Sequence, residues 1–189
     1  MMMLPLNKPQ LRKYLRDQRK NFLGKSYANQ LIGEKLHKLI SEDMIFKDLS
    51  VGLYYPMGSE VSLLNFAHQH HKKIPFYLPK VNKQGMDFVL WDFKQELSCD
   101  ILGIPAPNEE AIFIPPIICV PLLGFTQQKH RIGQGAGYYD RFIQQQRSPQ
   151  STPPIFVGIA YECQRLDDLP IEAHDEKLDF IVSEEKIYE

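Results

Sequence analysis

Residues Pro121 to Phe142 read PLLGFTQQKHRIGQGAGYYDRF. The stretch opens as an apolar run suited to a buried strand. It passes into a polar, cationic turn, Gln127-Gln128-Lys129-His130-Arg131. Glycines follow at alternate positions, Gly133, Gly135 and Gly137, and then Tyr138, Tyr139 and Asp140. Glycine at every second position admits positive φ and leaves no Cβ to hold a ligand off the backbone. Successive amides in such a turn converge into an anion-binding nest. A helix beginning near Gly137 adds its N-terminal amides to that nest. Arg131 sets a fixed positive charge beside it, and Asp140 offers a hard oxygen to Mg²⁺. The reading is therefore strand, phosphate loop, helix. It is not a Walker A loop, because no Gly-Lys-Ser/Thr follows, and Tyr138 occupies the third glycine's place in G-x-G-x-x-G.

Working outward, the 189 residues suit one domain, 1–189, with a sizeable core. With 43% hydrophobic and 24% charged residues the composition is that of a globular protein and argues against disorder. A net charge of −1 gives no global pull toward nucleic acid or anionic membrane, so any charge-based function is local. The longest apolar run, Ala111 to Phe125, is broken by Pro115, Pro116 and Pro121, which argues against a membrane span. The start, MMMLPLNKPQ, lacks a secretory h-region. Cys99, Cys119 and Cys163 are far apart and odd in number, which suits free thiols in a reducing cytoplasm, with Cys119 in the core.

Lys8 to Phe22 has the spacing of a helix, with Leu11, Leu15 and Phe22 on one stripe and Pro9 in its first turn. Lys8, Arg12, Arg16 and Arg19 form a neighbouring stripe, which is either a solvated basic face or an edge that delivers cations to a phosphate. A second helix spans Ser26 to Ile40, with Ser26 as its N-cap. Ser50 to Tyr55 is a short strand ended by Pro56 and Gly58. Glu60 then begins a helix to His71. It either favours that helix N-terminus or lies at a strand's carboxyl end, where open α/β sheets keep their ligands. His68, His70 and His71 form a local cluster, a solvated helix end or metal ligands. Ile74 to Val81 and Met86 to Asp92 read as a strand pair reversed at Asn82-Lys83-Gln84-Gly85, with Trp91 in core or pocket edge. Cys99 to Pro107 is a turn-rich connection. Ile112 to Val120 leads into the central strand, and the Tyr138 to Gln146 helix follows the glycines. After the loop 147–154, Ile155 to Ala160 and Leu178 to Val182 are buried strands, with Asp175 in an acidic loop between them. Alternating helices and strands predict an α/β sandwich around a mostly parallel sheet, the Phe76/Phe88 pair being antiparallel.

RIGQGAGYYDRF resembles the signature R-L-G-x-G-x-G-Y-Y-D of the 5-formyltetrahydrofolate cyclo-ligase family. The likeness runs along nearly the whole chain. It takes in Lys8, Leu11 and Arg12, Glu60 in YYPMGSEVS, Pro79 to Val81 with Met86 to Trp91, and Gly103 to Pro107. It continues through PLLGF, Gly158 to Gln164 and the ending from Leu169 to Asp179, which holds His174 and Asp175. The resemblance implies a three-layer α/β/α sandwich with a mostly parallel sheet, of the sugar-phosphate isomerase/CoA-transferase type. It implies conversion of 5-formyltetrahydrofolate to 5,10-methenyltetrahydrofolate with ATP and Mg²⁺, by phosphorylation of the formyl oxygen and attack by N10. It further implies ATP contacts from Lys8, Arg12, Arg131, Ile132, Gly133, Gln134, Gly135, Ala136, Gly137, Tyr138 and Tyr139, with Arg131 catalytic. Folate contacts fall to Tyr55, Glu60 and Tyr138, and Mg²⁺ to Asp140 and Asp175. The implied protein is a cytoplasmic monomer without nucleic-acid or membrane partners.

Such chemistry suits these residue types, because phosphoryl transfer is mainly positioning and supply of positive charge. The chain departs from the family at Thr126, where an Asp is common, and at Lys129, where a Gly is common. Gln134 and Ala136 stand where the loop often has another basic residue, and Leu102 where an aromatic often precedes G-I-P-x-P. Two other readings are kept: an ATP-dependent ligase or kinase for a different small molecule, and an RNA-binding module built on the basic helix.

Overall fold

The computed structural model describes residues 7–43, 49–109, 113–148, 152–172 and 175–189. His174, the first six residues, 44–48, and parts of the connections at 110–112 and 149–151 lie outside them. In chain order the elements are α1 (Lys8–Asn21), α2 (Lys25–Lys38), β1 (Val51–Gly52), α3 (Leu64–His70), β2 (Phe76–Val81), β3 (Met86–Trp91), β4 (Ser98–Cys99), β5 (Pro105–Ala106), β6 (Ile117–Pro121), β7 (Gly124–Thr126), β8 (Arg131–Ile132), α4 (Tyr138–Gln146), β9 (Ile155–Ile159), β10 (Arg165–Leu166), β11 (Phe180–Val182) and β12 (Ile187–Tyr188). A single π-helical turn, Leu39–Asp43, ends α2.

A seven-stranded sheet runs β12-β11-β9-β6-β1-β2-β3. The pairings β2-β1, β1-β6, β6-β9 and β9-β11 are parallel, while β2-β3 and β11-β12 are antiparallel. The central strands are buried on both faces, which is why they read as unbroken apolar runs. Alternation along β6 shows the layering. Ile117 and Cys119 pack with Ile32 and Leu36 of α2 and Phe66 of α3, whereas Ile118 and Val120 pack with Phe142 and Ile143 of α4. The fold is thus a three-layer α/β sandwich with a mostly parallel sheet. A third apolar cluster, Leu11, Leu15, Leu123, Ile132 and Leu169, seats α1 beside a small second sheet, β10-β7-β8.

The structure corrects several expectations. Lys8 begins α1 as predicted, capped by a reciprocal Asn7–Gln10 box with Pro9 in the first turn. Ser26 does not cap α2. Only Leu23 and Gly24 separate the helices after Phe22, and so sharp a link puts Gly24 at φ 80°, a backbone that glycine adopts without strain. Glu60 does not start a helix. Its amide donates to the Met57 carbonyl at 3.2 Å in a turn, and α3 begins only at Leu64. The strand 50–55 keeps its ladder only to Leu53, whose amide donates to Tyr77 at 2.8 Å. Tyr54 and Tyr55 then leave the sheet, the Tyr54 hydroxyl donating to the Val61 carbonyl at 2.8 Å. Between β6 and the glycines a hairpin intervenes, β7 and β8, so the order is strand, hairpin, loop, helix. Trp91 is core, stacked on Phe93 with centroids 3.9 Å apart. Cys119 is buried, and all three thiols are free. His68 and His71 lie against Phe93, and His70 stacks on His37 at 4.4 Å.

β1 is the point where the chain reverses direction across the sheet. It runs out to β2 and β3, then returns to β6 on the other side of β1. In open α/β sheets the crevice at the carboxyl ends of two such strands receives ligands.

Candidate active site

A cavity of about 400 Å³ opens at that crevice. Tyr54, Tyr55, Met57 and Glu60 beyond β1 and Pro121 at the end of β6 form one side, and residues 131–140 form another. Every site residue named from the sequence lines it: Lys8, Arg12, Tyr55, Glu60, each residue from Arg131 through Asp140, and Asp175. Pro79, Val81, Met86, Asp100, Leu102, Ile104 and Glu172 also line it and had no assigned role. Pro79–Val81 and the Gly103–Pro107 turn were visible as motifs, but which wall they build depends on Asp100. Its carboxylate accepts from the amides of Val81, Leu102 and Ile104 at 2.8 to 3.0 Å and pins that turn to β2.

Gly135 (φ 107°) and Gly137 (φ 71°) take the left-handed backbone the loop requires. A Cβ at Gly135 would lie 3.2 Å from the Arg12 guanidinium carbon, so the cation rests on bare backbone there. Gly137 caps α4 without a side-chain partner, leaving the first-turn amides to water or a ligand. The positive end of the helix and the cations of α1 therefore converge on one wall.

Each cation of the basic stripe on α1 is engaged by the chain, Arg16 at the exposed surface and Lys8, Arg12 and Arg19 further inward. Lys8 Nζ lies 2.8 Å from Asp175 and 3.1 Å from Glu172. Burial opposes the Lys8 charge, but hydrogen bonds and attraction from those carboxylates win, so its pKa lies above the usual lysine value. Arg12 Nε donates to the Gly133 carbonyl at 3.0 Å, and Arg16 Nε to Gln134 Oε1 at 3.0 Å. Arg19 is buried, and burial lowers its pKa from the usual arginine value, with Glu60 opposing. Its guanidinium remains charged nonetheless.

Arg131 is 7% exposed and donates through Nη2 to Asp140 Oδ1 at 2.6 Å. Its Nε and the Tyr139 hydroxyl are buried without a hydrogen-bond partner. Burial also pushes the Tyr139 hydroxyl pKa far up, so it stays a proton donor. Two orphaned donors in a cavity wall fit an oxygen-rich anion. Asp140 Oδ1 also faces the Glu176 amide at 3.4 Å, which brings Asp140 beside the 175–176 segment. Among the described residues no group of three or more His, Cys, Asp or Glu could hold a metal ion. Two carboxylates still fit Mg²⁺, which takes oxygen donors and keeps much of its shell as water and phosphate.

Comparison with known proteins gives the family and the fold. Residues 6–184 match the 5-formyltetrahydrofolate cyclo-ligase family model. The 5-formyltetrahydrofolate cyclo-ligase of Mycoplasma pneumoniae is 30% identical over 184 residues, covering 95% of this chain and 100% of that protein. The NMR structure of Aquifex aeolicus 5,10-methenyltetrahydrofolate synthetase superposes with a TM-score of 0.77 at 29% identity, over 96% of this chain and 92% of that one. The Mycoplasma pneumoniae synthetase structure gives 0.73 at 26% identity, over 95% and 99%. With its glycine loop, cationic helix and strand-end carboxylate on one cavity, and a family match along nearly its whole length, the chain belongs to the 5-formyltetrahydrofolate cyclo-ligase family.

Proposed function

We propose that this protein converts 5-formyltetrahydrofolate and ATP to 5,10-methenyltetrahydrofolate, ADP and phosphate, residues 1–189 acting as one domain and as a cytoplasmic monomer. The observation that carries this reading is that one cavity is lined both by cations, glycine backbone and the N-terminus of α4 and by Glu60, Tyr54, Tyr55, Met57, Leu102 and Ile104, which we assign to the phosphates and to the folate respectively.

At the first end, Lys8, Arg12 and Arg131 take phosphate oxygens, with amides from Ile132 to Tyr139 around the chain of phosphates. Asp140 and Asp175 would hold Mg²⁺, which would supply charge to neutralise the phosphates. Lys8 and Arg131 pair with those two carboxylates in the ligand-free protein and would turn to phosphate oxygens as the carboxylates are taken up. At the other end Glu60 accepts from the pterin N–H groups, with Tyr55 and Tyr138 against the ring. This places the formyl oxygen toward Arg131 and the γ-phosphate.

The formyl oxygen attacks the γ-phosphorus and ADP leaves. N10 then attacks the activated formyl carbon, phosphate departs with the former formyl oxygen, and the N10 proton is lost as the ring closes. Water cannot be expelled readily from an amide-like carbon, whereas phosphate can. The protein's contribution is positioning and fixed positive charge, as in other phosphoryl transfers.

The test is the absorbance of the methenyl product after mixing protein, Mg²⁺, ATP and 5-formyltetrahydrofolate. A rise that needs both ATP and Mg²⁺ is expected. ATP hydrolysis without that rise would instead indicate a ligase or kinase for a different small molecule.

A further inference from the structure

The α1 stripe ends in Arg19, which does not line the cavity and has no part in the reaction above. Arg19 is 4% exposed. Its Nε donates to Ser59 Oγ at 3.2 Å and its Nη1 to the Leu122 carbonyl at 3.2 Å. The same Nη1 lies 3.7 Å from Glu60 Oε1. Leu122 is held independently, because the fully buried Gln164 donates to its carbonyl at 2.8 Å. The guanidinium thus stands on the framework rather than on Glu60.

Glu60 is the element that needs holding. Its side chain is 9% exposed, its Oε2 accepts from the Met57 amide at 3.0 Å, and its Oε1 faces Gln134 Nε2 at 3.4 Å. Both of those contacts come from exposed loop groups. Arg19 is the cation paired with it among the described residues. A carboxylate this far from water needs a countercharge in fixed geometry. Two nitrogens of the planar guanidinium are fixed on the framework, Nε by Ser59 and Nη1 by Leu122, and this holds its charge 3.7 Å from Glu60.

We propose that Arg19 is a positioning residue for the substrate-binding carboxylate. It ties Glu60 to the end of β6 across the reversal point of the sheet and aims it into the folate end of the cavity. This rests on the functional reading above and adds a residue to it.

The experiment compares R19M, R19K, R19Q, E60Q and R19M/E60Q. It measures kcat, KM for each substrate, and calorimetric binding of 5-formyltetrahydrofolate without nucleotide. R19M is expected to raise folate KM and Kd about 10- to 100-fold, because it leaves the Glu60 carboxylate without the cation that stands 3.7 Å away. KM for ATP and kcat should stay within roughly 3-fold of wild type. R19K keeps the charge and should recover much of the loss. In the E60Q background R19M should add less than about 3-fold, since residues acting through one another are not additive. A folate KM unchanged in R19M, or a full extra loss in the double variant, overturns the proposal. A parallel fall in kcat and both affinities does so too, because that marks a general loss of structure. If R19M does not fold, R19Q, which keeps hydrogen-bonding groups without the charge, decides: a selective rise in folate KM supports the proposal and no rise overturns it. A wild-type protein that neither binds nor converts the folate overturns the functional reading, and this proposal with it. Binding and turnover intact in wild type with no selective effect in the variants overturn this proposal alone.

Discussion

Asp140 has two partners to serve. It accepts from Arg131 at 2.6 Å, and it is proposed to hold Mg²⁺ once ATP arrives. Asn in its place keeps the shape but removes the charge that both roles use. D140N is expected to lower Mg²⁺-dependent turnover at least about 100-fold, the scale of a lost electrostatic element in a catalytic site, with its far-UV circular dichroism unchanged. Near-normal turnover would remove Asp140 from the metal assignment. Lys129 makes a different kind of prediction. It sits at φ 68°, a left-handed backbone that costs a non-glycine residue about 1–2 kcal/mol. Glycine gives back part of that in unfolded-state entropy, so K129G should stabilise by up to about 1 kcal/mol. For a chain of this size that is a rise of roughly 2–4 °C in Tm. A lower Tm would show that the lysine side chain contributes more than the strain costs. The departure at 129 was visible from the sequence, but its backbone was not, because φ is set by the hairpin's closure, where the Thr126 amide meets the His130 carbonyl.

Among the elements, those with strong local signals were readable in advance. The Tyr138–Gln146 helix, the Phe76/Met86 hairpin and the apolar strands all follow from period and turn chemistry. What periodicity cannot give is the direction an amphipathic face points. The stripe on α1 reads equally as solvated or as inserted, and only long-range contacts, 118 to 167 residues away in sequence for Arg16 and Lys8, decide it. The buried Arg19 and the β7-β8 hairpin escaped for the same reason. α2 and α3 carry a pH prediction. His70 stacks on His37 and touches Phe66 at 4.9 Å. Burial, then His37, then Lys73 lower its pKa below the usual histidine value. A lowered basic group binds fewer protons folded than unfolded, so stability is full above about pH 6.5, falls as pH drops from there toward the lower folded value, and levels off below it. The slope is at most about 1.4 kcal/mol per pH unit for one proton, less for a partly exposed ring. H70Q should therefore flatten urea-measured stability just below about pH 6.5 relative to wild type. An equal slope in the variant would place the acid sensitivity elsewhere.

At the scale of the molecule, the cavity draws on parts far apart in sequence: the start of α1, the loops after β1 and β3, the glycine loop, and residues 172 and 175. Among them α1 packs beside the small sheet and not against the seven-stranded one. It is held by Leu11 and Leu15 against the small sheet and by the ion pairs of Lys8. The sheet was legible because burying both faces leaves a plain apolar record. The closure of its open end was not, because ionic contacts between distant loops leave no periodic trace. A ligand that occupies this cavity should therefore act as a clamp. If Mg·ATP takes Lys8, Arg12 and Arg131 as proposed, about 100-fold excess over its Kd stabilises the folded state by about 2.7 kcal/mol. That corresponds to a Tm rise of roughly 5–10 °C. The effect should need both metal and nucleotide, because each carboxylate released by its cation must find another partner. K8M loses the tie between α1 and residues 172 and 175, so it should melt lower without ligand and gain less from Mg·ATP. Differential scanning fluorimetry of both proteins, with Mg²⁺, ATP or the pair, measures this directly. A K8M variant that gains as much as wild type would mean that α1 frames the cavity without helping to close it on phosphate.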